Sequence, residues 1–247
     1  MKIIIKYLVI LSCYLLVSCN NNDDDRPSPQ TITQREVLIA FYNANPGNSL
    51  NWDITSTDIS TWENVEVNTD GKVTSLNLID KGITTIPSQI GYLNELIHLE
   101  LRNNAITAIP NEIENLDQLT YLGLNNNQIT SLPTTIGQMA LLDRLFVYNN
   151  NHTTIPSQIG QLTTLTSLNL GANTITSIPT TIGQLTNLEY LNFYSNSITS
   201  VPNQLSTLVN LITLDISDNF IASIPQSICD LQTTGTTIVK DPEVTCN

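Results

Sequence analysis

The sequence predicts an α/β solenoid: one short unit of chain stacked on itself, with a concave parallel sheet of about seven strands and 3₁₀ or loop structure on the convex side. Three observations carry this prediction. Pro87, Pro110, Pro133, Pro156, Pro179, Pro202 and Pro225 stand 23 residues apart without a slip, and a fixed period of that size means one supersecondary unit repeated. Ahead of each proline comes an apolar pair at i and i+2, such as Leu99 and Leu101, whose side chains face one side of a short strand. After each proline apolar residues recur at every third place, as at Ile159, Leu162 and Leu165, which suits a 3₁₀ return path. One such unit cannot bury its own leucines, whereas a stack buries them continuously. Seven strands at about 4.8 Å spacing make a sheet roughly 30 Å across.

Residues 1–18 read as a signal peptide: Lys2 and Lys6 charge its start, and residues 8–17 are mostly apolar. The segment runs into Leu16-Val17-Ser18-Cys19, which resembles the lipobox of bacterial lipoproteins. The resemblance implies lipidation of Cys19 as the first mature residue and firm anchoring, since stable anchoring needs more than one acyl chain. Residues 19–30 include Asp23-Asp24-Asp25 and Pro27-Ser28-Pro29. A polar, acidic, proline-containing stretch builds no core and reads as a flexible tether. Acidic residues so close to a lipidated cysteine resemble export signals that send lipoproteins to the outer surface of some Gram-negative bacteria. The expected location is therefore the bacterial outer membrane, facing outward; a periplasm-facing lipoprotein is the alternative.

Residues 31–72 read as an N-terminal cap over the open end of the stack. Thr33 and Glu36 have capping-box spacing. Val37, Leu38, Phe41 and Tyr42 then give a short amphipathic helix, which Asn45-Pro46-Gly47-Asn48 breaks. Trp52 and Trp62 are expected to pack over the first repeat, with sugar stacking as the alternative. Val65 and Val67 alternate like a strand, Asp70-Gly71 turns, and Val73 begins the first repeat strand.

The repeats occupy residues 73–231. The second copy reads Leu96, Leu99, Leu101, Asn104, Ile106, Ile109, Pro110, and the fifth reads Leu165, Leu168, Leu170, Asn173, Ile175, Ile178, Pro179. This resembles the leucine-rich repeat family in its 23-residue form with an Ile-Pro or Leu-Pro step, and implies a horseshoe that binds proteins, often in adhesion or host contact. The cap, from Leu38 through Trp52 and Trp62 to the run 71–76, resembles those of extracellular bacterial and plant members, although it lacks the cysteines that plant caps often carry. Within each unit an inward asparagine follows the strand, and its amide can bond unpaired backbone groups of adjacent turns. Asn104, Asn127, Asn150, Asn173, Asn196 and Asn219 are expected to form such a ladder, with Lys81 in that place in the first copy. Leu231 is the last residue on pattern. Residues 232–247 form a C-terminal cap, where Cys229 and Cys246 are expected to pair, because Cys13 leaves with the signal and Cys19 carries lipid. Closing that loop contributes roughly 3 kcal/mol on a chain-entropy argument.

Strand positions between the inward leucines form columns on the concave face. One holds Ser75, His98, Tyr121, Arg144, Ser167, Tyr190 and Thr213; the next holds Asn77, Glu100, Gly123, Phe146, Asn169, Asn192 and Asp215; the third holds Ile79, Arg102, Asn125, Tyr148, Gly171, Tyr194 and Ser217. Tyr121, Phe146, Tyr148, Tyr190 and Tyr194 are five of only twelve Phe and Tyr residues, and clustered exposed aromatics mark binding sites. Small residues in the fifth repeat should leave a notch flanked by Phe146 and Tyr148 on one side and by Tyr190 and Tyr194 on the other, with Asn169 in it and Arg144 at its edge. His98, with Glu100 and Arg102, reads as ordinary surface.

Composition narrows the function. The chain carries 22 acidic against nine basic residues, a formal charge of −13, which repels nucleic acid and anionic membranes. His98 and His152 lie on different repeats, and no phosphate loop, nucleophile elbow or zinc helix motif occurs. The expectation is a non-enzymatic protein without metal or cofactor that binds a partner protein through its concave face. A glycan-binding or nutrient-capture lipoprotein and an envelope scaffold are the alternatives.

Overall fold

The computed structural model describes residues 32–247. The signal peptide, Cys19 and the acidic tether lie outside the described residues. Helix α1 (Gln34–Ala44) opens with the capping box: the Thr33 hydroxyl accepts the Glu36 N–H at 3.2 Å, and the Glu36 carboxylate accepts the Thr33 N–H at 2.7 Å. Its apolar face, Val37, Leu38 and Phe41, is fully buried. Trp52 and Trp62 follow, buried and stacked on each other at 5.2 Å. Their faces are covered by the cap, which leaves none for a sugar.

Strands β1 (Val65–Val67) and β2 (Val73–Asn77) form an antiparallel hairpin. Its turn uses Gly71 at φ 71°, which glycine adopts without steric cost. Six further strands, β3 (His98–Glu100), β4 (Tyr121–Gly123), β5 (Arg144–Phe146), β6 (Ser167–Asn169), β7 (Tyr190–Asn192) and β8 (Thr213–Asp215), continue in parallel from β2. Each residue pairs with the one 23 places on, as Leu99 with Leu122 and Leu122 with Leu145. Between strands the chain returns through 3₁₀ turns such as Ser88–Tyr92 and Ser157–Gln161, each starting directly after the repeat proline. Proline suits that place because its φ is fixed and it has no N–H to satisfy.

The sheet has nine strands, so the expected seven were an undercount at both ends. Strand β1 adds the antiparallel edge. At the other end, after β9 (Ser223–Ile224) and the helical turn α2 (Gln226–Cys229), β10 (Thr237–Val239) pairs in parallel with β8, setting Ile238 beside Leu214. That step is 24 residues rather than 23, which hides β10 from the repeat pattern. The final strand β11 (Thr245–Cys246) pairs with β9, and Cys229 is disulfide-bonded to Cys246, with Cα atoms 6.2 Å apart.

Each turn leaves its strand through one left-handed residue: Asp80, Asn103, Asn126, Asn149, Ala172, Ser195 and Asp218 have φ between 51° and 59°. Next to it the ladder asparagine faces inward. Asn127 accepts the Ile106 N–H at 3.0 Å and donates to the carbonyls of Leu101 and Leu124, both at 3.0 Å, tying its own turn to the preceding one. Asn150, Asn173, Asn196 and Asn219 repeat this pattern. Asn104 accepts from both Lys81 and Ile83 N–H groups. Lys81 itself reaches out to Glu63 at 2.9 Å. The cap closes the ladder through Asn45, fully buried, which accepts from Thr84 and Thr85 N–H and donates to the Phe41 and Thr85 carbonyls. At the far end Asp241 accepts the Asp218 N–H at 2.9 Å.

The repeat leucines and isoleucines form one continuous core. His152 occupies the core slot that Ile106, Ile129, Ile175 and Ile198 fill in other turns, and it is fully buried. No helix of the described residues is long and apolar enough to cross a membrane.

Candidate functional site

Register fixes the concave columns. Ser75, His98, Tyr121, Arg144, Ser167, Tyr190 and Thr213 stand side by side across β2 to β8, and so do Asn77, Glu100, Gly123, Phe146, Asn169, Asn192 and Asp215. The side chains at the strand ends have a local duty. Oδ1 of Asn169, Asn192 and Asp215 accepts the N–H two residues on, at 3.1, 2.7 and 3.1 Å. Such Asx-type bonds stop each strand and hold the side chain upright. They leave the Asn169 and Asn192 Nδ2 groups and the Asp215 Oδ2 without partners among the described residues.

A cavity of about 250 Å³ opens over β5 to β8, lined by Phe146, Ser167, Asn169, Tyr190, Asn192, Thr213 and Asp215, with Leu168 and Leu191 at its floor. The expected notch is thus present, but its outline differs. Phe146, Asn169 and Tyr190 line it. Tyr148 and Tyr194 do not, because the third column lies beyond the strands. The Tyr148 ring lies over Gly171, where any Cβ would come within 3.2 Å of it and within 2.8 Å of Asn192 Oδ1. Tyr194 projects, exposed, beside it. Arg144 pairs with Asp143 at 3.3 Å outside the cavity. Sequence reasoning missed Asn192, Thr213 and Asp215 because the notch extends one repeat further than the small residues of the fifth repeat suggest.

Towards the N-terminal end the columns hold an aromatic run. His98 stacks on Tyr121 with ring centroids 4.2 Å apart, and Tyr121 meets Phe146 at 5.5 Å in a tilted arrangement. His98 thus heads an aromatic run across three strands. Behind it, Glu100 is buried across the face of Gly123, in space that a Cβ there would take. Its carboxylate accepts the Tyr121 hydroxyl at 2.8 Å and the Arg102 N–H at 3.0 Å. Burial, reinforced by this bond to Glu100, pushes the Tyr121 phenol up to about 12. Both partners are thereby held in one orientation. Rigid rings with little rotamer freedom left to lose are efficient contact surfaces.

A family model described as "Leucine-rich repeat region" matches residues 111–197, and two further leucine-rich repeat models match residues 71–129 and 186–229. The chain is a leucine-rich repeat protein. No curated protein matches it. Among solved structures, a leucine-rich repeat protein of Leptospira interrogans is 31% identical, with a TM-score of 0.67, over 77% of this chain and 46% of that one. The ectodomain of the Arabidopsis thaliana receptor kinase GASSHO1/SCHENGEN3, solved in complex with CASPARIAN STRIP INTEGRITY FACTOR 2, is 25% identical, with a TM-score of 0.78, over 87% of this chain and 27% of that one. An internalin of Listeria monocytogenes is 25% identical, with a TM-score of 0.61, over 74% of this chain and 53% of that one. This leucine-rich repeat protein thus spans less than half the length of the first two. Its solenoid is an interaction scaffold in form, and among the described residues no cluster of three or more acidic, His or Cys side chains is placed to hold a metal ion.

Proposed function

We propose that this protein is a lipid-anchored, cell-surface leucine-rich repeat protein that binds a partner protein through its concave face, in adhesion or recognition. The observation that carries the reading is the aromatic run from His98 through Phe146 opening into the notch before Tyr190. A merely solvated sheet has no use for it. The strands from β3 to β8 span about 24 Å at 4.8 Å per step, the length of about seven residues of extended chain. A segment lying across the strands would therefore meet the aromatic run and the notch together. Tyr121, Arg144, Phe146, Tyr148, Asn169, Tyr190 and Tyr194 are the proposed contacts. The plant ectodomain that this chain resembles was solved in complex with CASPARIAN STRIP INTEGRITY FACTOR 2, which supports the class of function. Anchoring at Cys19 rests on the Leu16-Val17-Ser18-Cys19 sequence. The Cys229–Cys246 disulfide fits an oxidising, extracytoplasmic location.

Two measurements test this. Protease added to intact cells should remove the solenoid, and protection until lysis would place it in the periplasm instead. Replacing Phe146, Tyr148 and Tyr194 together by Ala should abolish capture of whatever protein the wild type captures in cross-linking on cells, at an unchanged unfolding midpoint. Capture of the same protein by both would remove the concave assignment.

A further inference from the structure

Resting on that reading of the concave face, we propose that the notch over β5 to β8 is a subsite for one cationic side chain, arginine or lysine, carried by an extended segment of the partner. Its volume of about 250 Å³ lies below that of pockets for drug-sized ligands and suits a single side chain. Phe146 and Tyr190 wall it, and a cation within about 6 Å of such a ring is attracted by its negative face. Asp215 is the one charged residue of the lining. Its Oδ1 is taken by the Ser217 N–H and hydroxyl, so the carboxylate is fixed while Oδ2 faces no protein donor among the described residues. The neighbouring cation, Arg144, is occupied with Asp143 and stands outside the lining. The site therefore offers a half-buried carboxylate with a free oxygen, one strand from Tyr190, and no positive charge in its lining.

The remaining polar groups fit the backbone on either side of such a side chain. Asn169 and Asn192 have their oxygens committed and their Nδ2 groups left to donate, which matches peptide carbonyls. A neutral sugar ring has a suitable size and could stack on Tyr190. It gains nothing, however, from a chain of net charge −13, whereas a basic segment is drawn in by that field.

The test uses the purified protein, labelled with nitrogen-15, and three probes: Nα-acetyl-arginine methylamide, its citrulline counterpart of equal shape without charge, and N-acetylglucosamine. The arginine probe should shift the amide signals of residues 167–169, 190–192 and 213–215, binding at least tenfold more tightly than the citrulline probe. Asp215→Asn, which keeps the Oδ1 bond to Ser217, should erase that preference while leaving distant signals in place. Equal binding of arginine and citrulline probes, no shift at all, or shifts only with the sugar would each overturn the proposal. If the triple aromatic variant still loses the captured protein, only the cationic subsite falls and the concave surface stands.

Discussion

His152 sits in a slot built for isoleucine. Both ring nitrogens are buried without a hydrogen-bond partner, and the loss of water pushes its pKa down to about 4. A histidine with a folded pKa below its unfolded value of about 6.5 contributes stability only while it is neutral. That stability is intact above about pH 6.5, drains as the pH falls because the unfolded chain takes up the proton first, and levels off below about 4. Over that window the loss amounts to about 3 kcal/mol. His152→Ile should therefore stabilise the protein, and by an increment that grows from pH 7 to pH 4 in urea unfolding. An increment independent of pH would mean that the ring is not held neutral. Ala172 poses the opposite case. It has φ 51° at a place where five of the six other turns use Asn or Asp, which tolerate that region. Asn126 and Asn149 also bond along this row, at 2.6 and 2.9 Å. Ala172→Asn relieves the strain and extends the row, so the melting temperature should rise by a few degrees, for about 1 kcal/mol.

At the level of the element, the ladder asparagines join adjacent turns alongside backbone bonds such as Asn103 N–H to the Asn125 carbonyl and Gln128 N–H to the Ile106 carbonyl. Asn127→Leu keeps the size but leaves the Ile106 N–H buried without a partner, while the carbonyls of Leu101 and Leu124 each lose one of two donors and keep Asn104 and Asn150. Leaving one buried N–H unsatisfied costs about 1–3 kcal/mol, so chemical denaturation should show a loss in that range. Asn45 does the same work for the first turn from within the cap. Asn45→Ala should loosen the junction of α1 with the first repeat, seen as faster amide exchange at Thr84 and Thr85 with β5 and β6 still protected. The ladder was legible in the sequence because six asparagines keep its period. Asn45 was not, since it lies in an Asn-Pro-Gly-Asn break that reads equally as a plain helix stop.

As a whole molecule, a stack of turns holds together through nearest-neighbour contacts, so its ends open before its middle. The disulfide closes a separation of 17 residues at the C-terminal end, worth about 3 kcal/mol. Replacing Cys229 and Cys246 by Ser should speed hydrogen exchange in β9, β10 and β11 first and leave β4 to β6 nearly unchanged. Uniform loss of protection would mean that the solenoid opens as one unit. The surplus of acid belongs to this scale as well. Association with a basic partner should slow as salt is raised, because the steering field is screened over about 10 Å at 0.1 M.

The sequence by itself determined the solenoid, the 23-residue register, the inward leucines and the concave columns, because periodic residues with a single possible facing leave one way to stack. It also placed the notch near the fifth repeat, through the contrast of small residues with Phe146 and Tyr190. Only the tertiary structure decided which side chains share that notch. Register set Asn192, Thr213 and Asp215 beside it, and the Asx-type bonds that free Asp215 Oδ2 depend on where each strand stops. The stacking of His98 on Tyr121 and the burial of Glu100 over Gly123 were likewise decided in three dimensions. They need contacts across neighbouring turns, and a residue's own repeat says nothing about what the next repeat leaves empty.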